Sequence, residues 1–99
     1  MDEMTCFQMI TFAGEAKSNY MEALQAVKEK DFKRADGLIK DGDASYAKVH
    51  DMHTDLIQKE CAGEKTELSL LTIHVEDQMM SVEVVKILVL ELYELYKIL

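Results

Sequence analysis

The chain has 99 residues, with 19 acidic and 11 basic side chains, a formal net charge of −8, and neither proline nor tryptophan. The length allows one domain, residues 1–99. The acidic balance argues against nucleic acid and against an anionic membrane surface as partners, because both are bound through clustered Lys and Arg.

A first helix is predicted over about residues 3–30. Its apolar residues recur at intervals of three, four and seven, which places them on one stripe of a helix. The stripe comprises Met9, Ile10, Ala13, Ala16, Tyr20, Leu24 and Val27. The lack of proline and the scarcity of glycine favour long helices throughout the chain.

A second helix is predicted over about residues 32–62. Asp31 offers a side-chain oxygen that can cap its start, and Gly63 can take the left-handed conformation in which many helices end. Its stripe comprises Phe32, Ala35, Ile39, Gly42, Tyr46, Val49, Leu56 and Ile57.

A third helix, predicted over about residues 66–98, is apolar around most of its circumference. Its charged residues fall within an arc of roughly 80°; they are Glu76, Glu83, Lys86, Glu94 and Lys97. A bundle helix needs an apolar face of somewhat more than about 100°, so this helix has a second apolar face to bury. We therefore expect an all-α antiparallel three-helix bundle that self-associates through its third helix, with a dimer as the default.

A polar patch interrupts the apolar surface of the third helix. It comprises His74, Asp77, Gln78 and Ser81, which share one helical face. Polar groups in a packing face are costly to bury unless they are paired. The patch therefore indicates either a satisfied hydrogen-bond network in the core or a functional site.

Antiparallel folding is expected to bring the other two histidines to the level of this patch. If the second and third helices fold back about residue 64, His50 and His53 lie level with His74 and Gln78. Two functions remain open at this point. One is a metal site, since His50 with His53 and His74 with Asp77 have the spacing of ligands in helical bundles. The other is a nucleophilic histidine that its neighbours orient.

Cellular location is predicted from the N-terminus and from the two cysteines. The segment Met1 to Cys6 begins with acidic residues and lacks the basic start and apolar stretch of a secretory signal. Residues 79–99 are too interrupted by charges to span a membrane. We therefore expect a cytoplasmic protein in which Cys6 and Cys61 are reduced thiols in the core.

The segment LLTIHVEDQMM, residues 70–80, carries a recognisable motif. It resembles apolar residues followed by His-Ala-Gln/Glu-Asp-His/Gln-Leu-Met in the lactose/cellobiose-type enzyme IIA components of the bacterial sugar phosphotransferase system. Further likenesses follow in the same order at residues 14–18, 31–35 and 50–63. Val75 stands where that family has a small Ala, and Gln78 stands where many members have a second histidine.

The resemblance implies a phosphocarrier. His74 would accept a phosphoryl group, as a tele-phosphohistidine, from the histidine-containing phosphocarrier protein and pass it to a cysteine of the IIB component. Gln78, His50 and His53 would support the transfer. The system would import a β-disaccharide of the lactose, cellobiose or chitobiose class through a membrane IIC component that this chain meets only indirectly.

The resemblance also implies a homotrimer, in which Asp77 and its two copies surround one Mg²⁺ on the axis. Three carboxylates about 4 Å apart would repel by roughly 4 kcal/mol per pair at a dielectric constant near 20, so a cation is physically reasonable there. The alternative interpretation of the sequence is a helical metal-binding or adaptor module that transfers no group.

Overall fold

The computed structural model describes residues 2–99 and contains three helices, α1 (Glu3–Lys28), α2 (Phe32–Cys61) and α3 (Leu70–Ile98). They run up, down and up in a bundle of 51 × 22 × 20 Å, and the described residues contain no strand. The predicted all-α three-helix bundle is confirmed. Met1, part of the predicted domain and N-terminal segment, lies outside the described residues. Within residues 2–99, no helix combines the length and apolarity that a membrane crossing needs.

The starts of α1 and α2 are capped by aspartates. Asp2 Oδ1 accepts a hydrogen bond from the Thr5 amide at 2.7 Å. Asp31 Oδ1 accepts one from the Arg34 amide at 3.2 Å, as the sequence predicts. The turn between the two helices is tight, with Lys30 in the left-handed region at φ 57°. This turn ends α1 at Lys28, two residues before the predicted boundary.

The start of α3 differs from the prediction. The helix begins at Leu70 and not at residue 66, because Ser69 and Thr72 cap it reciprocally. Ser69 Oγ accepts from the Thr72 amide at 3.1 Å, and Thr72 Oγ1 accepts from the Ser69 amide at 2.9 Å. A Thr in the place usually held by Glu or Gln makes this box hard to recognise in a sequence. Residues 62–69 form the connection, with Gly63 at φ 95° as expected.

The core lies along α1, which packs against both other helices, while α2 and α3 approach each other only slightly. Most of the predicted α1 stripe is buried. The buried side chains of α1 are Cys6, Met9, Ala13, Ala16, Tyr20, Ala23, Ala26 and Val27. Cys6 is thus a core residue, as predicted, but Cys61 is exposed. The prediction for Cys61 is wrong because the last turn of α2 reaches past the helices that would cover it. Ile57, which the predicted α2 stripe includes, is likewise 47% exposed.

One buried tyrosine links all three helices. Tyr20, on α1, is fully buried, and its ring lies against Gly42 on α2. Its hydroxyl donates to Asp43 Oδ1 at 2.5 Å. The same oxygen lies 2.8 Å from Lys86 Nζ on α3. The junction therefore joins α1, α2 and α3 through one carboxylate.

Polar pairs set the register of α2 against α3. The pairs are Asp36 with Tyr93, Asp43 with Lys86, Tyr46 with Glu83, and His53 with Glu76. In each pair the two residue numbers add up to 129. The helices therefore fold back about a point between residues 64 and 65, which confirms the predicted register. We call this row of contacts the polar seam.

The second apolar face of α3 is exposed, as the sequence predicts. We call it the outer face. Its residues are Leu70, Ile73, Met80, Val84, Ile87, Leu88, Leu95 and Ile98, which are between 46% and 84% exposed. Contiguous apolar surfaces on a protein often mark sites of interaction with another molecule.

Candidate functional site

His74 lies at the start of the second turn of α3, and its side chain is exposed. With Leu70 and Leu71 it lines an open recess of about 530 Å³. Leu70 is 84% exposed. The exposed position does not agree with a hydrogen-bond network in the core, one of the two readings of the polar patch. His74 instead presents its ring to solvent at an apolar rim.

Val75 directs its side chain into the core and is only 1% exposed. Successive residues of an α-helix differ in direction by about 100°, so a residue beside His74 faces a different part of the molecule. The larger side chain at this position therefore fills the bundle interior. It does not cover the approach to His74.

Asp77 and Gln78 follow His74 at one turn and occupy different environments. Asp77 is exposed on the outer face of α3, in line with Val84 and Leu88 at seven and eleven residues further on. Gln78 is half-buried and lies one turn after His74 on the same side of the helix. The imidazole of His74 and the amide of Gln78 thus lie along one flank of α3, beside the exposed Leu70, while the carboxylate of Asp77 faces outward.

His53 and His50 lie on the α2 side of the molecule. His53 Nδ1 is 2.8 Å from Glu76 Oε1. His50 is exposed, and its ring is 6.2 Å from the ring of Tyr46, tilted by 44°. Because Glu76 faces α2 and lies two residues after His74, the His74 side chain points to the opposite flank of α3. The three histidines share a level, as the register predicts, but within one chain they do not converge.

A tyrosine lies close to His50 on the polar seam. Burial raises the pKa of the Tyr46 hydroxyl above its ordinary value, and the facing carboxylate of Glu83 raises it further. Tyr46 therefore stays neutral and can donate a hydrogen bond throughout the physiological range.

Within residues 2–99 of one chain, no metal site is complete. Among residues 2–99, no group of three or more His, Cys, Asp and Glu side chains could hold an ion. The pairs of His50 with His53 and of His74 with Asp77 therefore do not form the single-chain site that their spacing allowed. The outward carboxylate of Asp77 is the kind of oxygen ligand that Mg²⁺ prefers, and it would need further ligands from other molecules.

Sequence reasoning missed one residue of the site, Glu76. It was placed only within the charged arc of the third helix, yet its carboxylate accepts a hydrogen bond from His53. The fold-back point near residue 64 could have paired the two, because it sets position 76 almost level with position 53.

Comparison with known proteins places the chain among related sequences and structures. The profile of the family described as "PTS system, Lactose/Cellobiose specific IIA subunit" matches residues 4–97. The oligo-beta-mannoside-specific EIIA component of Bacillus subtilis is 42% identical over 97% of this chain and 87% of its own length. The lactose-specific EIIA component of Staphylococcus aureus is 37% identical over 92% of this chain and 88% of its own length.

A solved structure agrees with the fold. The crystal structure of the PTS cellobiose-specific enzyme IIA from Bacillus anthracis superimposes with a TM-score of 0.91 at 41% sequence identity. The superposition covers 96% of this chain and 87% of that one.

Proposed function

The chain belongs to the family of lactose/cellobiose-specific IIA subunits of the sugar phosphotransferase system, and within that family we propose that it is a phosphocarrier in which His74 receives and passes on the phosphoryl group. The observation that carries this proposal is the exposed imidazole of His74 at the rim of an open recess. A nucleophile that reacts with two protein partners in turn must be reachable from solvent, and His74 meets that condition.

Both transfers can be written with the atoms balanced. The neutral ring of His74 attacks phosphorus through Nε2, in line with the departing ring nitrogen of the carrier's phosphohistidine. One P–N bond breaks as the other forms, and the Nδ1 proton stays on His74. A cysteine thiolate of the IIB component then attacks the same phosphorus. The P–N bond is exchanged for a P–S bond, and His74 returns to its neutral form.

The transferred group spreads negative charge over its oxygens, which donors must stabilise. Gln78, one turn after His74 and half-buried, can donate from its side-chain amide. His50 and His53 are the other proposed supports. Since both lie toward α2 in their own chain, a direct contact with the phosphoryl group would come from a neighbouring subunit.

A homotrimer built on the outer face of α3 is part of the proposal. Burying this face removes its apolar side chains from water at a gain of roughly 25 cal/mol per Å². Asp77 lies in the same face. Its copies would meet in apolar surroundings, where carboxylates need a counter-charge, so the residues fit one Mg²⁺ on the axis. The ion would neutralise these carboxylates beside a group that gains about −1.5 to −2 charges on phosphorylation.

Membership of the family supports a proposal for the partners and the substrate. We propose a cytoplasmic role between the histidine-containing phosphocarrier protein and a IIB component, in the uptake of a β-disaccharide of the lactose, cellobiose or chitobiose class. The relatives named for oligo-beta-mannoside, lactose and cellobiose agree with a β-linked sugar. The net charge of −8 favours basic docking surfaces on both protein partners.

The test is phosphorylation from phosphoenolpyruvate with the two general proteins of the system. We expect one phosphoryl group per chain, with a linkage that acid hydrolyses and alkali does not. The label is expected to be absent from His74→Gln and retained in His50→Gln. A label of the same lability that survives in His74→Gln would refute the assignment.

A further inference from the structure

The polar seam contains one pair close to His74. Its other pairs lie further along the bundle, from Tyr46 with Glu83 onward, whereas Glu76 is only two residues from His74. The side chain of His53, on α2, is 20% exposed, and that of Glu76, on α3, is 41% exposed. This pair is the last contact of the seam before α3 reaches its N-terminal cap.

The hydrogen bond has a defined direction. A carboxylate accepts and does not donate, so the proton between His53 Nδ1 and Glu76 Oε1, which are 2.8 Å apart, belongs to the imidazole. His53 Nε2 then carries the free lone pair when the ring is neutral. The bond to a charged acceptor is of the stronger kind found in proteins.

The pair helps to determine which way the start of α3 faces. Over its first two turns, α3 is held against the core through the buried side chains of Thr72 and Val75. Glu76 adds the contact with α2, although α2 and α3 otherwise touch only slightly. Holding Glu76 on α2 turns His74 to the opposite flank and Asp77 to the outer face, because each residue is offset from the next by about 100°. A small rotation would move the His74 ring relative to any docked phosphoryl donor.

We propose that His53 and Glu76 are positioning residues for phosphoryl transfer. Their hydrogen bond holds the rotation of the first two turns of α3, and it thereby orients the His74 ring toward the incoming phosphorus. This inference rests on the proposed role of His74. Within its own chain, it assigns to His53 an action through Glu76 and no contact with the group on that chain's His74.

The consequence is a change in rate with little change in docking. The side chains that a carrier protein would meet, including Leu70, Leu71 and His74, are all retained when the pair is broken on the other flank. Misplacing a reacting atom by about 1 Å can cost about 100-fold in rate. We expect the maximal rate of His74 phosphorylation to fall 10- to 100-fold in His53→Ala and in Glu76→Ala. The concentration of chain that half-saturates the carrier is expected to stay within about threefold of the wild-type value.

The seam supplies a matched control. The Tyr93 hydroxyl donates to Asp36 Oδ1 at 2.6 Å in the same row of contacts. It lies 17 residues beyond Glu76 on α3, about 25 Å away. Tyr93→Phe removes an α2–α3 hydrogen bond of the same kind and is expected to leave the phosphorylation rate within twofold of wild type. A merely structural role for His53 and Glu76 predicts equal effects at both ends of the seam.

The experiment measures initial phosphorylation rates of the full chain against chain concentration. The variants are His53→Ala, Glu76→Ala, the double variant, Tyr93→Phe, and the conservative His53→Gln and Glu76→Gln, which keep a donor or an acceptor. We expect the double variant to be no slower than the slower single variant, because both act through one bond. The glutamine variants are expected to recover to within about threefold of wild type.

Hydrogen exchange of the amides at residues 73–77 gives a second readout that needs no phosphorylation. It is expected to quicken in the alanine variants and not in Tyr93→Phe. Equal rates in the wild type and both alanine variants would overturn the positioning role and leave His74 as the acceptor. A wild-type chain that takes no label at His74 would instead refute the proposed function and this inference with it.

Discussion

Tyr20 and Gly42 are packed so closely that position 42 has no room for a side chain. A Cβ built on Gly42 would stand 2.7 Å from Tyr20 Cε1 and 3.0 Å from two further ring atoms. The tyrosine is held from its other end by Asp43, which also binds Lys86. The missing side chain at position 42 is therefore what lets a large aromatic ring lie between α1 and α2.

Gly42→Ala is expected to destabilise the fold by about 1–3 kcal/mol, since the ring would have to shift within a packed interior. Gly37→Ala is the matched control, because it lies on the same helix and its Cβ would meet no atom within 4 Å. That control is expected to stabilise by about 0.5–1 kcal/mol. Urea unfolding at one fixed protein concentration measures both, and equal effects at the two glycines would contradict the packing argument.

Stability is expected to decline in alkaline solution because of Tyr20. Burial, followed by the hydrogen bond to Asp43, raises the pKa of the Tyr20 hydroxyl well above its ordinary value. An unfolded chain ionises its tyrosines near pH 10, so above that pH the unfolded state binds fewer protons than the folded state. The contribution of the Tyr20 hydroxyl to the free energy of unfolding is therefore fully present below about pH 10. It is lost above that pH, by at most about 1.4 kcal/mol per pH unit for one group.

The measurement is the free energy of unfolding between pH 8 and pH 12. Tyr20→Phe is expected to flatten the decline, although it lowers stability at pH 8 by removing the bond to Asp43. Tyr96→Phe, on α3, controls for the general loss of a tyrosine hydroxyl. An unchanged slope in Tyr20→Phe would show that other groups cause the alkaline loss.

Val75→Ala is expected to weaken the fold without speeding phosphoryl acceptance. The Val75 side chain is buried in the core, and its truncation leaves a cavity that costs about 1–3 kcal/mol. Thermal unfolding and the initial phosphorylation rate would be measured on the same preparation. A several-fold faster reaction in this variant would mean that valine hinders access to His74 after all.

Leu88→Glu tests the outer face of α3. Leu88 is 56% exposed, so a monomer tolerates the new charge, while an apolar contact between copies does not. Native mass measurement is expected to give three copies for the wild type and one for Leu88→Glu at micromolar concentration. Lys33→Glu, on the exposed side of α2, serves as the control and is expected to remain trimeric. A monomeric wild type would remove the basis for a shared metal.

Asp77→Asn distinguishes the phosphocarrier from a helical metal-binding module. We expect one Mg²⁺ per three chains in the wild type, lost on chelation and lost in Asp77→Asn. His50→Ala and His53→Ala are expected to keep the ion, since Mg²⁺ prefers oxygen ligands. Metal analysis of dialysed protein measures this. Loss of metal in the histidine variants, with Asp77→Asn unaffected, would favour the alternative module.

Helix ends could be predicted from the sequence where one residue and its immediate neighbours determine them. Asp31 and Gly63 act through their own backbone neighbours, so they cap and terminate as predicted. The start of α3 was placed four residues early, because Thr72 performs the part that Glu or Gln usually has in the capping box. The burial of Cys61 was mispredicted since periodicity cannot show where a partner helix ends.

The position of the site residues along the bundle axis could be predicted from the sequence, but the direction in which their side chains point could not. A fold-back point near residue 64 follows from the lengths of two helices and puts His50, His53 and His74 at one height. Which flank each ring faces depends on how far each helix is rotated. In α3 that rotation is visible in the burial of Val75 and in the contact of Glu76 with His53. The proposed contacts of Asp77 with other copies lie outside any single chain.

Three helices are an odd number, so the first residue of α1 and the last of α3 lie at opposite ends of the bundle. His74 is near the end where α1 starts, and Ile98 is 24 residues further along α3, about 36 Å away. A fluorophore or fusion domain attached after α3 would therefore leave the approach of both protein partners open. The same attachment placed before Glu3 would crowd it, which makes the far end of α3 the place to immobilise the protein for binding experiments.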